Sequence, residues 1–217
     1  MSPQANNNSQ ISSVVNTIIP TLILGYIDRI VMYLLADVLR WDRKVLSTAL
    51  RKCKDASGSD LKDKFVDFLQ STDNEEARAE FFRMCGDFEL LRQRTFAVHQ
   101  LLSDPSKALS RINMHEKMVR WQLHRIYRER NGIVHKGEKS NHIHYLVENA
   151  HDYLDQVLRF CLNISSWKPG YSEFISCFAY AATQYNNYMN DVKAGNLKRL
   201  VWSLPRFKGR SFIFDDA

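Results

Sequence analysis

Between Arg120 and Gly137 the chain reads Arg-Trp-Gln-Leu-His-Arg-Ile-Tyr-Arg-Glu-Arg-Asn-Gly-Ile-Val-His-Lys-Gly, and Arg130, Asn131 and His135 within it form a compact chemical group. A guanidinium can hold two oxygens of an anionic group at once, an imidazole titrates near neutrality and can move protons, and a carboxamide can orient either one. Leu123, Ile126 and Val134 have the spacing of an apolar helical face. Arg130 falls inside that arc and is expected to face inward, where a guanidinium needs a partner. On an unbroken helix residues five apart point about 140° away from each other. Arg130 and His135 can therefore converge only if the helix breaks or a second chain completes the group. Gly132, at about 1 kcal/mol relative to Ala in a helix, is the weak point for a break.

The residues Arg130-Asn131-x-x-x-His135, with Ile133-Val134 before the histidine and Gly137 before another helix, resemble the Arg-to-His motif of HEPN domains. In local wording they are similar to ApeA-like members. These are small helical bundles found in many RNases of toxin and antiviral systems, and the resemblance covers about residues 110–164. It implies a metal-independent endoribonuclease without cofactor, in which the 2′-OH of RNA attacks its own phosphate. Arg130 would hold the phosphoryl oxygens, His135 would transfer protons and Asn131 would orient His135 or a phosphate. It also implies a homodimer with a composite site, and a toxin or antiphage setting with tRNA among the candidate substrates. An antitoxin, sensor domain or other regulatory partner would then keep the enzyme silent. A non-catalytic HEPN module that binds RNA, a nucleotide or a partner protein is the alternative, and a helical interaction domain without a nucleic-acid role is a third.

Arg120, His124, Tyr127, Asn131 and His135 lie on one helical stripe. With Arg128 and Lys136 they are the residues expected to lead RNA to the site, since cations suit phosphates and aromatic rings stack on bases. Lys117, Trp121 and Arg125 add to the mixture, whose bland counterpart is a solvated basic face. The bare spacing of the motif recurs from Arg94 to His99, so the weight rests on Asn131, Gly132 and the helix junction. His135, His142, His144, His151 and Cys161 invite a zinc site, but His142 and His144 point to nearly opposite sides of a helix and no standard ligand spacing is present. No metal is assigned.

The elements that must position this group read as helices throughout. Apolar residues recur at three and four from Ile23 to Val38, from Val45 to Leu50 and from Phe65 to Leu69. The same spacing marks a long segment from about Glu75 to Ser103, in which Gly86 is a candidate kink, then the motif helix from Ser106 or Ser110. Two further helices carry Ile143 to Cys161 and Phe174 to Tyr188, and Leu197 to Trp202 a short last one. Pro20 suits a first helical turn, Asp60 and Ser140 or Asn141 suit caps, and Ala56 to Ser59 and Trp167 to Gly170 suit turns. The expected fold is all-α, a HEPN-like helical bundle with additional flanking helices: a flexible arm at 1–16, one helical domain at 17–204, and a basic and aromatic tail at 205–217.

The 217 residues, 45% hydrophobic, suffice for a sizeable core, and a charge of +6 with pI near 9.1 leans towards an anionic partner. Four scattered cysteines without a Cys-x-x-Cys pair fit a reducing cytoplasm. Residues 18–39 are the most apolar stretch, yet Asp28, Arg29 and Asp37 interrupt it, so no membrane span is expected.

Overall fold

The computed structural model describes residues 3–53, 60–137, 143–171 and 173–196. The fold is all-α, and no strand occurs among the described residues. In order the helices are α1 (Pro3–Ile23), α2 (Tyr26–Trp41), α3 (Arg43–Arg51), α4 (Leu61–Gln70), α5 (Glu75–Met84), α6 (Glu89–Ser103), α7 (Pro105–Lys136), α8 (Ile143–Trp167) and α9 (Phe174–Lys193). They divide into two compact units. The described residues of Met1–Gly25 and Ile112–Asn187 form the first, and those of Tyr26–Arg111 and Tyr188–Trp202 the second.

In the first unit α1, most of α7, α8 and most of α9 are tied by side chains as well as by apolar packing. Tyr153 of α8 donates to Gln122 of α7, Tyr185 of α9 donates to Glu116 of α7, and Arg120 of α7 donates to Asn16 of α1 over 2.6 Å. Val15, Ile19, Ile112, Val119, Phe160, Ile164 and Ala181 are buried in its core. The flexible arm expected at 1–16 is instead helical from Pro3, and Val15 is 1% exposed. The apolar triplet Val14, Val15 and Ile18 joins the polar start to the helix, and Pro20 sits inside α1 instead of opening a helix. From Gln10 to Trp41 the chain is long and apolar enough to cross a membrane by length and composition, and 56% of that apolar stretch is buried within the protein.

The second unit is built on a phenylalanine cluster. Phe65 and Phe68 stack at 5.9 Å between centroids, Phe81 meets Phe68 edge-on at 5.6 Å, and all three are fully buried. Phe68→Ala should lower unfolding free energy by about 3–5 kcal/mol in urea titration, because it removes a ring and leaves a cavity that α4 and α5 cannot close. Buried Arg78 donates to the carbonyls of Phe68 (2.8 Å) and Ser71 (2.5 Å), satisfying the end of α4. Its burial pulls the guanidinium below its ordinary pKa.

The long segment expected from Glu75 to Ser103 is two helices, α5 and α6. Gly86 holds φ at +53° between them, a left-handed conformation that ends a helix instead of merely bending it. Asp104 caps α7, its carboxylate accepting from the N–H groups of Ser106 (2.9 Å) and Lys107 (3.3 Å) with Pro105 in the first turn. The Ser106 hydroxyl and the Lys107 N–H hold the Asp104 carboxyl below the usual range. The turn at Ala56 to Ser59, the Ser140 or Asn141 cap, the helix at Leu197 to Trp202 and the tail at 205–217 lie outside the described residues.

Candidate active site

The motif occupies the last turns of α7, a helix of 32 residues and therefore roughly 48 Å long. No break occurs at Gly132. The helix continues to Lys136 and stops at Gly137, whose φ of +67° and N–H bond to the Ile133 carbonyl (3.1 Å) end it. One glycine costs about 1 kcal/mol, too little to open a ladder whose flanking turns are already formed. Arg130 and His135 of one chain consequently stay on different sides of the helix.

Arg130 is exposed, not inward-facing. It does continue the line of Ile112, Val119, Leu123 and Ile126, as the spacing requires. The core that this line faces ends at Val119, which is 2% exposed, and no residue from Arg120 to Gly137 is buried. Beyond Val119 the helix is only partly covered, with Gln122 to Tyr127 and Asn131 to Ile133 half-buried, so an apolar position near its end can be a solvent position. Arg130 donates to the Asn131 side chain over 3.0 Å, a contact between neighbours that leaves the rest of its guanidinium fork without a partner among the described residues. His135 is exposed and forms no hydrogen bond or ion pair with another described residue.

The second match to the spacing, Arg94 to His99 on α6, is committed to structure. Arg94 is paired with Asp37 of α2, and His99 Nδ1 lies 2.6 Å from the Leu69 carbonyl oxygen at the end of α4. The two matches look alike in sequence, yet one pair anchors helices and the other faces solvent.

The residues expected to guide RNA separate into two groups. Arg120 is held by Glu116 (2.7 Å) and by Asn16 (2.6 Å), so it serves as a tie between helices instead of an open phosphate contact. Glu116 also accepts the Tyr185 hydroxyl, whose pKa is raised by burial and by that carboxylate. The i, i+4 spacing of Glu116 and Arg120 was the available signal for this pairing. His124 and Tyr127 are half-buried on the expected stripe, while Arg128 and Lys136 are exposed. Trp121, 56% exposed, carries the Arg125 guanidinium 5.5 Å above its ring centroid. Charge and stacking surface are thus joined on a face adjacent to the stripe.

A feature that periodicity alone concealed lies on α8. Val147, Leu154, Leu158 and Leu162 share one edge of the helix and are 36–64% exposed, whereas Leu146, Val157, Phe160, Cys161 and Ile164 of the same helix are buried. Val147, Leu154 and Leu158 read in sequence as one apolar pattern with Leu146, Val157 and Cys161.

Among the described residues no three His, Cys, Asp or Glu side chains stand where they could share a metal ion. His142 lies outside those residues, and His151 faces Asp155 at 3.8 Å. The cysteines are unpaired. Burial and the neighbouring Cys177 push the Cys161 thiol up to about 12, which makes it a packing group and not a nucleophile. Compared with known proteins, the chain matches no protein-family model, no curated protein and no solved structure.

Proposed function

We propose that this protein is a metal-independent endoribonuclease of the HEPN type, a toxin or antiphage-defence effector of the reducing cytoplasm. In this reading two copies bring the ends of their α7 helices together. The observation that carries it is the end of α7, where Arg130 and His135 are exposed, Asn131 is half-buried and none of the three is bonded to another helix among the described residues, in contrast to Arg94 and His99. Since about 140° separates Arg130 from His135 on one helix, each site takes its arginine from one chain and its histidine from the other. The exposed α8 edge supplies the apolar surface for such a pairing.

The chemistry follows from the residue types. His135 accepts the proton of the 2′-OH as that oxygen forms a bond to phosphorus, and Arg130 binds the two non-bridging oxygens on which charge accumulates. The bond from phosphorus to the 5′-oxygen breaks, and that oxygen leaves with the proton that His135 took from the 2′-OH, which restores the neutral imidazole. The products are a 2′,3′-cyclic phosphate and a 5′-OH. Asn131, beside Arg130, keeps the guanidinium aligned.

Incubation of the purified chain with tRNA and total RNA in EDTA, followed by mapping of the ends, tests this reading. Cleavage with those two ends is expected, and His135→Ala should reduce it by about a hundred- to ten-thousand-fold. Equal cleavage by His135→Ala refutes the site. The Trp121–Arg125 platform also favours a second reading, a module that binds RNA without cutting it. Binding at low salt with no products would select that one.

A further inference from the structure

Within the second unit, α2 and α6 run antiparallel. Trp41 meets Phe88 at one end of their seam, with ring centroids 5.9 Å apart, and Asp37 pairs with Arg94 at its middle. Beyond that ion pair the seam opens into a cavity of about 530 Å³, bounded at its far end by the first turns of α7. That volume lies within the range of small-molecule sites.

The floor is apolar, formed largely by Leu34, Val98 and Leu101. Its charged lining is all positive: Arg94, Lys107 and Arg111, with no carboxylate among the described lining residues. Asp37 neutralises Arg94. Lys107 hydrogen-bonds neutral Gln100 over 2.8 Å and forms a long ion pair with Asp104 at 3.9 Å. Arg111 has no hydrogen bond or ion pair among the described residues. Among the described residues, positive charge is therefore only partly compensated at one end of an apolar trough, with Arg111 the cation left over. A neutral apolar ligand would leave Arg111 without a counter-charge, and a cationic one would be repelled.

We propose that this groove binds a small organic anion, with its carboxylate or phosphate head at Lys107 and Arg111 and its apolar body along Leu34, Val98 and Leu101. A free amphiphile and the head of a leaflet lipid share that chemistry. The groove's modest volume favours the free molecule, since it holds one short chain.

Isothermal titration of the full chain with decanoate below its micellar concentration is the test, with decanol and decyltrimethylammonium as neutral and cationic partners of the same chain length. Decanoate should bind at least about tenfold more tightly than either. Ala97 is exposed and lines the groove. Ala97→Trp should fill it and weaken decanoate by about tenfold or more without altering charge. Lys107→Glu with Arg111→Glu should reverse the preference to the cationic amphiphile. Acidic residues are tolerated well in the first turns of a helix, and circular dichroism checks that both variants stay folded. Absence of decanoate binding, equal affinity for decanol, or an unchanged affinity in Ala97→Trp overturns the proposal. Cosedimentation with phosphatidylglycerol vesicles in place of decanoate binding also overturns it, and assigns the cations to a surface contact.

Discussion

Co-expression of Arg130→Ala and His135→Ala chains should restore about one quarter of wild-type RNA cleavage, although each variant alone is inactive. Random pairing makes about half of the dimers mixed. In a mixed dimer one composite site lacks both groups and the other has both, so one site in two survives. The prediction follows from the unbroken α7, which keeps Arg130 and His135 of one chain about 140° apart. If both groups acted within a single chain, mixing would restore nothing. If a site needed both arginines and both histidines, it would also restore nothing. The tagged mixed dimer, isolated by tandem affinity purification, separates these cases from failed assembly.

Leu154→Glu combined with Leu158→Glu should convert the protein to a monomer and abolish cleavage while leaving its helical circular-dichroism signal at 25 °C unchanged; the melting temperature should fall only by what dimerisation contributed. Leu154 is 55% and Leu158 36% exposed in the single chain, so a carboxylate at either position can reach water and costs the fold much less than it costs a buried interface. Across a two-fold interface the same substitutions bury four carboxylates without partners. At a few kcal/mol each, that raises the dissociation constant by well over about a thousandfold. Sedimentation velocity at micromolar concentration reads the change directly. A double variant that remains dimeric and active would assign the α8 edge to another role and leave the site to be completed through a different face.

The helices themselves were legible because three-and-four spacing is a local property. Val45 to Leu50, Phe65 to Leu69, Ile143 to Cys161 and Phe174 to Tyr188 each fall on a helix of the fold. Boundaries were less legible where a residue has two uses. Pro20 can open a helix or sit within one, and Gly86 can kink or terminate. The neighbours that decide between these are distant in sequence. Arg78, which closes the end of α4 through the carbonyls of Phe68 and Ser71, gave no sign of that role, since backbone carbonyls leave no mark in a side-chain pattern.

By itself the sequence determined the all-α class, the residues along each helical face, and the compact group Arg130, Asn131 and His135 at the end of one helix. Periodicity records which side of a helix a residue occupies, and nothing more. Only the tertiary structure decided what covers that side: the core beside α7 stops at Val119 and leaves Arg130 in solvent, and α8 buries Val157 and Ile164 but not Leu154 and Leu158. The same contacts tie Arg94, His99 and Arg120 into the scaffold and, among the described residues, include none to His135. Burial depends on where neighbouring helices begin and end, which is set by the packing of the whole unit and not by any one segment.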